Sequence, residues 1–351
     1  MKKCLVLDLD NTLWGGIVGE EGLDGIKLGL DESGRGFVAF QQAILDLYNR
    51  GIILALNSRN NYEDAMAVIR RHPNMVLKEN NFAALRINWN EKPDNMREIA
   101  KELNIGLDSL VFLDDDPVNR ALMRNALPEV ETPDLPLNPE DYAKFLLGFP
   151  YFQGAAITDE DKMRGNLYVT ERLRKAAENN YGSKEDFLKS LEIEVHCYQD
   201  DSSCIPRLAQ LTEKTNQFNT NKKPMSESEI LRHIDGPTHS VFHAAARDKF
   251  GDYGVIGFAS VNKSPEEWLI ESMLASCRAL GRGIEETFLH FIARRARENN
   301  VKGLMILFKK TEKNQPAKEF LEKYFEGGRF DLGRADLKPD WIKAIWKSSH
   351  P

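Results

Sequence analysis

The first 130 residues alternate short apolar runs with segments in which apolar residues recur at helical spacing. The clearest helical segment covers residues 37–48, and Gly51 follows it at the position of a C-terminal cap. Four apolar runs are each too short for a helix and predict buried strands. They cover residues 5–9, 52–56, 75–77 and 110–113. This order predicts an α/β fold built on a doubly wound parallel sheet.

A proline-rich stretch ends this pattern. Pro128, Pro133, Pro136 and Pro139 stand among acidic residues and break both periodicities. We therefore expect a first domain over residues 1–140, followed by a polar helical connector over residues 141–190.

The remaining residues, 191–351, show a different order of elements. Residues 191–197 alternate apolar and polar side chains, as a half-buried strand does. Two helices, three strands, a helix, a strand and a helix follow. The strands cover 240–248, 253–262, 267–275 and 303–308, and the helices lie near 205–211, 226–234, 282–299 and 316–325. The order predicts a mixed α/β domain.

Composition narrows the class of protein. A formal net charge of −7 argues against bulk binding to nucleic acid or to an anionic membrane. The four cysteines form no CxxC pair and no dense disulfide framework, which fits a reducing compartment. No apolar stretch has membrane-spanning length. We expect a cytoplasmic protein.

Two carboxylates follow the first predicted strand. Asp8 and Asp10 are two residues apart and point the same way, so that they can share one site. Like charges so close need a cation or a shared proton. The pair suits phosphoryl transfer with a divalent metal, Asp8 as nucleophile and Asp10 as acid/base. The alternative is a polar strand exit that carries two aspartates without a function.

Polar residues also follow the later strands. Ser58 is placed to hold a phosphate oxygen, although a serine here is often a simple helix N-cap. Lys92 precedes a helix and could neutralise nucleophile and phosphoryl group together, although most lysines are merely solvated. Asp114 and Asp115 end the fourth strand, and ligands of a hard cation converge from such strand ends.

These motifs, in this order, resemble the haloacid dehalogenase (HAD) superfamily of phosphatases and phosphotransferases. By that resemblance Asp8 is the nucleophile, and Asp10 is the general acid/base and a backbone ligand of Mg²⁺. The resemblance assigns phosphate binding to Ser58, Lys92 and Thr12, and the metal to Asp8, Asp10, Asp114 and Asp115.

The connections in this half are short. Residues 15–34 are rich in glycine and predict a small hairpin flap, and the stretch between Ser58 and Lys92 is too short for a lid domain. We expect a site without a large cap, open to a bulky substrate such as one tethered to another protein.

The strand-to-helix junction at residues 276–284 carries two glycines. Such a junction leaves backbone N–H groups aimed from the helix N-terminus, which suits phosphate or pyrophosphate. The run Arg278-x-x-Gly281-x-Gly283 resembles the loop with which GNAT acyltransferases grip coenzyme A. Glycines chosen for tight packing are the alternative. Predicted pantetheine- or coenzyme A-binding residues are Arg278, Gly281, Arg282, Gly283 and Asn314.

Cys277 directly precedes this loop. A helix N-terminus and Arg278 both favour its thiolate, so that it could accept an acyl group as a thioester. A buried structural cysteine is the alternative. Glu271, on the strand leading in, is a weak candidate for a base.

Segments from both halves, in order, resemble the FkbH-like family of HAD subfamily IIIC. They are residues 8–16, 112–115, 214–219, 276–283 and 311–314. The resemblance implies that D-1,3-bisphosphoglycerate loses phosphate and that its glyceryl group passes to the phosphopantetheine thiol of an acyl carrier protein. Asp8 would perform the phosphoryl chemistry, with Cys277 as the acyl way-station. Side chains flanking Ser58 and Asp114 differ slightly from the family pattern, which leaves the substrate open.

A basic cluster near the second loop could receive an acidic carrier protein, although charge runs are usually solvated faces. It consists of Arg294, Arg295, Arg297, Lys309, Lys310, Lys313 and Lys318. Three alternatives stay open: a magnesium phosphatase whose second half only binds pantetheine, a coenzyme A-dependent acyltransferase in glycan or secondary-metabolite biosynthesis, and a non-enzymatic scaffold for carrier proteins.

Overall fold

The computed structural model describes residues 2–152 and 159–348, apart from the side chains of residues 159–164 and 348. The chain divides into two compact units, Met1–Ala176 and Ala177–Pro351. The division falls within the region predicted as a connector, of which residues 153–158 lie outside the described residues.

The described part of the first unit contains a four-stranded, fully parallel sheet in the order β3-β2-β1-β4. Its strands are β1 (Cys4–Leu7), β2 (Ile53–Ser58), β3 (Phe82–Ile87) and β4 (Leu110–Leu113). Nearly every strand residue is buried, because helices cover both faces. The predicted doubly wound parallel sheet is therefore confirmed.

The helices of this unit follow the predicted periodicity. They are α1 (Val18–Gly25), α2 (Arg35–Asn49), α3 (Tyr62–Arg71), α4 (Lys92–Leu103), α5 (Pro117–Ala126), α6 (Tyr142–Leu147) and α7 (Asp159–Glu178). In α2 the residues Phe37, Phe40 and Ile44 form one buried stripe against the sheet. Gly51 follows at φ +90°, where a side chain would be strained, and turns the chain into β2.

Two local predictions for this unit are wrong. Residues 75–77 form no strand, because the side-chain oxygen of Gln41 accepts the N–H groups of Val76 and Leu77 at 2.9 and 3.1 Å in place of a sheet neighbour. The strand lies instead at β3, closer to Lys92. Residues 15–34 contain α1, kinked at Gly22, and only a single antiparallel bridge stands where the hairpin flap was expected.

The second unit is a mixed sheet in the order β11-β12-β10-β9-β8-β7-β5-β13, with β6 paired to β9. Its strands are β5 (Ile193–Gln199), β6 (Phe218–Asn219), β7 (His239–Asp248), β8 (Gly251–Lys263), β9 (Glu267–Ala275), β10 (Gly303–Ile306), β11 (Phe325–Glu326), β12 (Arg329–Phe330) and β13 (Ile342–Ser348). The pairs β9–β10 and β5–β13 are parallel, and the others are antiparallel. The mixed α/β prediction is confirmed.

The helices of the second unit are α8 (Lys184–Ser190), α9 (Ile205–Lys214), α10 (Glu227–Asp235), α11 (Ile284–Glu298) and α12 (Gln315–Tyr324). The core centres on α11, whose Phe288, Phe291 and Ile292 are almost fully buried against the sheet. Burial of each such side chain stabilises the fold by about 2 kcal/mol. Across the described residues, the helices are either too short or too polar to traverse a bilayer.

Candidate functional site

The strand register brings the polar residues of the first unit to one edge of the sheet. Leu7 of β1 pairs with Leu56 of β2 and Leu113 of β4, so that these strands end level with one another. Asp8 and Asp114 are the next residues on two neighbouring strands. The N–H of Asp8 donates to the carbonyl of Leu113 at 3.0 Å, which fixes the two chain exits side by side.

Three carboxylates converge at this edge. Asp8, Asp114 and Asp115 each place an oxygen within 4.8 Å of the others. Burial, followed by the charge of Asp8, raises the pKa of Asp114 to about 6, although Lys92 opposes the shift. Burial and the charges of Asp8 and Asp114 likewise raise the pKa of Asp115 to about 6. Each carboxylate thus makes it harder for the next to ionise, and a cation would relieve that cost.

Lys92 supplies one positive charge to this group. Its side chain is 2% exposed, and its Nζ lies 2.9 Å from Asp8 Oδ1 and 2.5 Å from Asp114 Oδ2. Burial lowers the pKa of Lys92, but the two carboxylates outweigh it and raise the pKa above its ordinary value. The side chain is therefore an ammonium, held where it neutralises the predicted nucleophile.

One oxygen of this group lacks a hydrogen-bond donor. Lys92 approaches Asp8 Oδ1 as an ion pair but outside hydrogen-bond geometry, so that this buried oxygen has no hydrogen-bond donor. Oxygens that converge from two strands, with one left unsatisfied, form the donor set that Mg²⁺ prefers. The side chains of Asp8, Asp114 and Asp115 therefore fit the predicted metal.

Asp10 is not one of the three carboxylates that converge within 4.8 Å. Its Oδ1 accepts from Trp14 Nε1 at 2.8 Å and from the N–H of Val18 at 3.2 Å, and its Oδ2 accepts from Asn60 Nδ2 at 2.8 Å. Burial raises the pKa of Asp10, while these hydrogen bonds oppose the shift. A carboxyl group with a raised pKa and a fixed orientation suits an acid/base. Any metal contact of Asp10 would have to use its backbone, as the resemblance implies.

The two predicted phosphate-binding hydroxyls differ in their surroundings. Thr12 is buried, and its hydroxyl both donates to Asp115 Oδ1 at 3.3 Å and accepts from the N–H of Asp115 at 3.2 Å. The Thr12 hydroxyl thus orients a carboxylate. Ser58 is buried at the end of β2, at the same sheet edge as Asp8.

Several residues that the sequence did not single out support this site. Arg120 Nη1 donates to the carbonyls of Asp114 and Asp115 at 2.8 and 2.5 Å and so shapes the loop that carries them. Asn57 Nδ2 donates to the carbonyl of Lys92 at 2.9 Å. Trp14 and Asn60 lie close in sequence to predicted motif residues, and this closeness is the only sequence feature that indicates a role for them. The role of Arg120 left no sequence signal.

In the second unit Cys277 lies just beyond the end of β9, and its thiol is exposed. The neighbouring Arg278 is half-buried, and its Nε is buried without a hydrogen-bond partner. The thiol is therefore accessible to an incoming acyl group, whereas the Arg278 Nε is not.

The two glycines of the loop have left-handed backbone angles, φ +73° at Gly281 and φ +84° at Gly283, which is the N-cap of α11. The N–H of Gly281 donates to Glu285 Oε1 at 2.9 Å, so a phosphate would have to displace this carboxylate. A Cβ on Gly283 would lie 2.7 Å from Pro339 Cγ. The packing interpretation therefore holds for Gly283, whether or not the loop also binds phosphate.

Arg282 is engaged within the loop. Its guanidinium donates to the carbonyl of Arg278 and lies 5.4 Å from the ring centre of Tyr253, while its own carbonyl accepts from Trp341 Nε1 at 2.9 Å. These contacts fix the loop conformation between β9 and α11.

Asn314 joins two segments that are far apart in sequence. It is buried, and its Nδ2 donates to the carbonyls of Asn219 and Lys309 at 2.9 and 3.0 Å, while its Oδ1 accepts from the N–H of Thr311 at 2.7 Å. The segments 214–219 and 311–314 thus contribute to one cavity of about 320 Å³. Its lining residues are Asn216, Asn219, Lys222, Thr311, Glu312, Lys313 and Asn314.

Comparisons with known proteins give the following likenesses. No family model and no curated protein matches the chain. The N-terminal part of a Bacteroides fragilis protein, which contains a phosphatase domain complexed with Mg, is 46% identical over 44% of this chain and 42% of that chain, with a TM-score of 0.43. This chain thus spans less than half of that one.

Two further structures resemble one half each. A HAD-superfamily hydrolase of subfamily IA from Geobacter sulfurreducens is 15% identical, over 41% of this chain and 100% of that chain, with a TM-score of 0.30. A ribosomal-protein-alanine N-acetyltransferase from Brucella melitensis is 12% identical, over 37% of this chain and 89% of that chain, with a TM-score of 0.29.

The two sheet topologies confirm the predicted fold class, a doubly wound parallel sheet in the first unit and a mixed α/β domain in the second. The converging carboxylates and the buried lysine of the first unit have the composition of a phosphoryl-transfer site, in agreement with the predicted enzyme class.

Proposed function

We propose that this chain is a bifunctional enzyme of the FkbH-like kind. It would remove phosphate from an acyl phosphate such as D-1,3-bisphosphoglycerate and load the glyceryl group onto the phosphopantetheine thiol of an acyl carrier protein. The observation that carries the first half is the meeting of Asp8, Lys92, Asp114 and Asp115 at one sheet edge. The exposed thiol of Cys277 supports the second half.

In the phosphoryl step, an oxygen of Asp8 attacks the phosphorus of the C3 phosphate ester, and the bond from phosphorus to the leaving oxygen breaks. Asp10 donates its proton to that oxygen, then takes a proton from the water that hydrolyses the aspartyl phosphate. Lys92 neutralises the phosphoryl oxygens. Mg²⁺, held by Asp8, Asp114 and Asp115, would supply further positive charge at the transferring group.

In the acyl step, the thiolate of Cys277 attacks the carbonyl carbon of the acyl phosphate, and the bond from carbon to the phosphate oxygen breaks. Phosphate leaves, and a thioester remains on Cys277. The thiol of the carrier protein then attacks the thioester carbonyl, and its proton passes to the departing sulfur of Cys277. The glyceryl group is thereby moved without any change in oxidation state.

The basic cluster divides into two parts with respect to a carrier protein. The arginines of α11 are already paired: Arg294 and Arg295 with Glu298, and Arg297 with Asp336, at 2.7 to 2.9 Å. Lys318 is likewise paired, with Glu322 at 3.2 Å. The other three lysines are exposed and form no ion pair within the described residues, and Lys313 among them lines the cavity around Asn314. The three are Lys309, Lys310 and Lys313. We therefore place the carrier protein at the lysines.

The main alternative is a magnesium phosphatase whose second unit binds pantetheine without an acyl-cysteine intermediate. The contact between Gly281 and Glu285 favours it, because that contact occupies an N–H group that a phosphate-gripping loop would use.

The test is intact-mass measurement after addition of D-1,3-bisphosphoglycerate. We expect a glyceryl adduct on the wild-type chain, no adduct on Cys277→Ala, and an adduct that keeps its phosphate on Asp8→Asn. Cys204→Ala replaces a half-buried cysteine of the same unit and should carry the wild-type adduct. Phosphate release from C3 should fall on the order of a thousandfold or more in Asp8→Asn.

Two results would decide against the proposal. An adduct that persists in Cys277→Ala would place the acyl group elsewhere. Carrier protein loaded as fast by Cys277→Ala as by the wild type would favour the alternative, in which the acyl group never resides on the enzyme.

A further inference from the structure

A second group of metal-binding side chains lies in the second unit. His233 stands in the last turn of α10, His239 begins β7, and Glu271 lies on β9. One ligand atom from each lies within 4.8 Å of the other two. Within residues 2–152 and 159–348, no other group of three or more histidine, cysteine or acidic ligands converges so closely, apart from the three aspartates of the phosphoryl site.

Hydroxyl groups orient both imidazole rings. His233 Nδ1 lies 3.0 Å from Ser260 Oγ, and His239 Nδ1 lies 2.9 Å from Thr238 Oγ1. The amide nitrogen of Asn262 lies 3.3 Å from His239 Nε2. Because an amide nitrogen only donates, Nε2 of His239 carries the lone pair when it faces Asn262, and a metal ion at Nε2 would replace this long contact.

This arrangement is the one found around metal-binding histidines. In such sites one ring nitrogen donates to a neighbouring oxygen, which fixes the tautomer and turns the other nitrogen toward the metal. Ser260 and Thr238 provide the oxygens for His233 and His239 respectively.

The spacing of nitrogen and carboxylate fits one transition-metal ion. His239 Nε2 lies 3.7 Å from Glu271 Oε2. Two ligands about 2.05 Å from a tetrahedral Zn²⁺ stand about 3.3 Å apart, so that a shift of a few tenths of an ångström would bring both into coordination. The same two side chains are 22% and 30% exposed, which gives an ion a path from solvent.

A β-bulge directs Glu271 to this position. The register of β8 and β9 passes from Ser260 opposite Ser272 to Val261 opposite Ile270, and Glu271 is the extra residue between them. The carbonyl of Glu271 accepts from Asn221 Nδ2 at 3.0 Å, which holds the bulge from the other side. Bulges of this kind redirect a side chain that regular pairing would place on the other face.

We propose that His233, His239 and Glu271 bind one divalent transition-metal ion, with Zn²⁺ as the best match. Imidazole ligands select zinc, cobalt or nickel over magnesium, so the site would differ in chemistry from the aspartate group of the first unit. Three protein ligands leave a fourth position for water or a substrate oxygen. The ion would also join α10 to the sheet.

The proposal is tested by equilibrium dialysis of the full, reduced chain against Zn²⁺, with metal analysis, in excess Mg²⁺ that keeps the aspartate group filled. We expect one Zn²⁺ per wild-type chain. His239→Ala and Glu271→Gln should each weaken binding by more than tenfold. Ser260→Ala should weaken it about 10- to 100-fold, although it removes no ligand.

His196→Ala is the matched control. His196 is about as exposed as His239 and lies 3.8 Å from Glu194. Among the residues that the structure describes, no third ligand converges on this pair, so removal of His196 should leave Zn²⁺ binding unchanged. If His239→Ala fails to fold, two measurements replace it. One is Zn²⁺ binding by the isosteric Glu271→Gln, and the other is the Co²⁺ absorption spectrum of the wild type, which should show four-coordinate cobalt. Wild-type affinity in Glu271→Gln, or Zn²⁺ that is lost only in Cys277→Ala, would overturn the proposal.

Discussion

Lys92 is the residue on which the charge balance of the phosphoryl site depends. It is the ammonium that the structure places directly against two of three crowded carboxylates, and it is almost fully buried. A buried charge of this kind is costly unless it is paired, and removal of one partner leaves the others uncompensated. The residue therefore links catalysis to the stability of the fold.

Replacement of Lys92 by methionine should therefore destabilise the chain in the absence of metal. We expect a loss of about 3 kcal/mol in the free energy of unfolding, as for other broken buried pairs, and a larger stabilisation by added Mg²⁺ than in the wild type. Urea unfolding with Mg²⁺ and with a chelator measures both. Lys101→Met, an exposed site on the same helix, is the control, and an equal loss in the two variants would contradict the prediction.

His243 on β7 gives a pH dependence at the residue scale. Burial lowers its pKa to about 4, with Asp201 opposing, whereas the unfolded chain titrates this histidine near 6.5. The unfolded state then binds more protons between these values, so that the folded state loses up to about 3 kcal/mol as the pH falls from 6.5 to 4.

The measurement is urea unfolding of the wild type and of His243→Gln from pH 7 to pH 4.5. The comparison is needed because Asp114 and Asp115 have the opposite effect. Their pKa values are raised in the folded state, so their protonation stabilises the fold as the pH falls. The variant should lose less stability than the wild type over this range. Parallel curves would show that His243 does not titrate as inferred.

At the scale of elements, the junction from β9 to α11 combines left-handed backbone angles with close packing. Gly281 and Gly283 both have left-handed angles, but only Gly283 faces a close neighbour, Pro339. The nearest atom to a Cβ on Gly281 is Lys184 Nζ at 3.4 Å, the end of a flexible side chain. Substitution at Gly281 therefore tests backbone strain alone, whereas substitution at Gly283 tests strain together with steric crowding.

Alanine at Gly281 should cost about 1 kcal/mol, the strain of a left-handed residue alone. Alanine at Gly283 should cost about 1–3 kcal/mol more, because the new methyl group meets the proline ring. Chemical denaturation of the two variants provides the comparison. Equal losses would mean that the junction adjusts and that the packing interpretation of Gly283 is wrong.

At the scale of the whole molecule, the residues of the two proposed reactions lie in separate compact units. The proposed phosphoryl step uses carboxylates that converge from neighbouring strands, and the proposed acyl step uses a thiol at the end of β9. Each reaction should therefore respond to its own perturbation.

Removal of metal should accordingly separate the two reactions. With a chelator present, we expect phosphate release from C3 to fall by at least about a hundredfold, while acyl transfer to Cys277 continues within about twofold. Phosphate assays and intact-mass measurement on the same samples follow the two steps. Parallel loss of both reactions would indicate that acyl loading depends on prior dephosphorylation.

Local sequence patterns were enough to predict those features that depend on neighbouring residues in the chain. The apolar runs placed β1, β2 and β4, and the residues after them carried Asp8, Ser58 and Asp114 to the sheet edge, because parallel strands end together. The same reasoning failed at residues 75–77, where backbone N–H groups donate to the side chain of Gln41 and not to a neighbouring strand.

The sequence by itself therefore determined the fold class of each half. It also determined which strand ends of the first unit carry polar side chains and where the candidate thiol of the second unit lies, since these features follow from spacing along the chain. Only the tertiary structure decided that Asn60 and Trp14 orient Asp10, that Glu285 occupies the Gly281 amide, and that His233 and His239 meet Glu271. Such contacts join residues whose separation in sequence carries no periodic signal, and they arise only when strands and helices pack together.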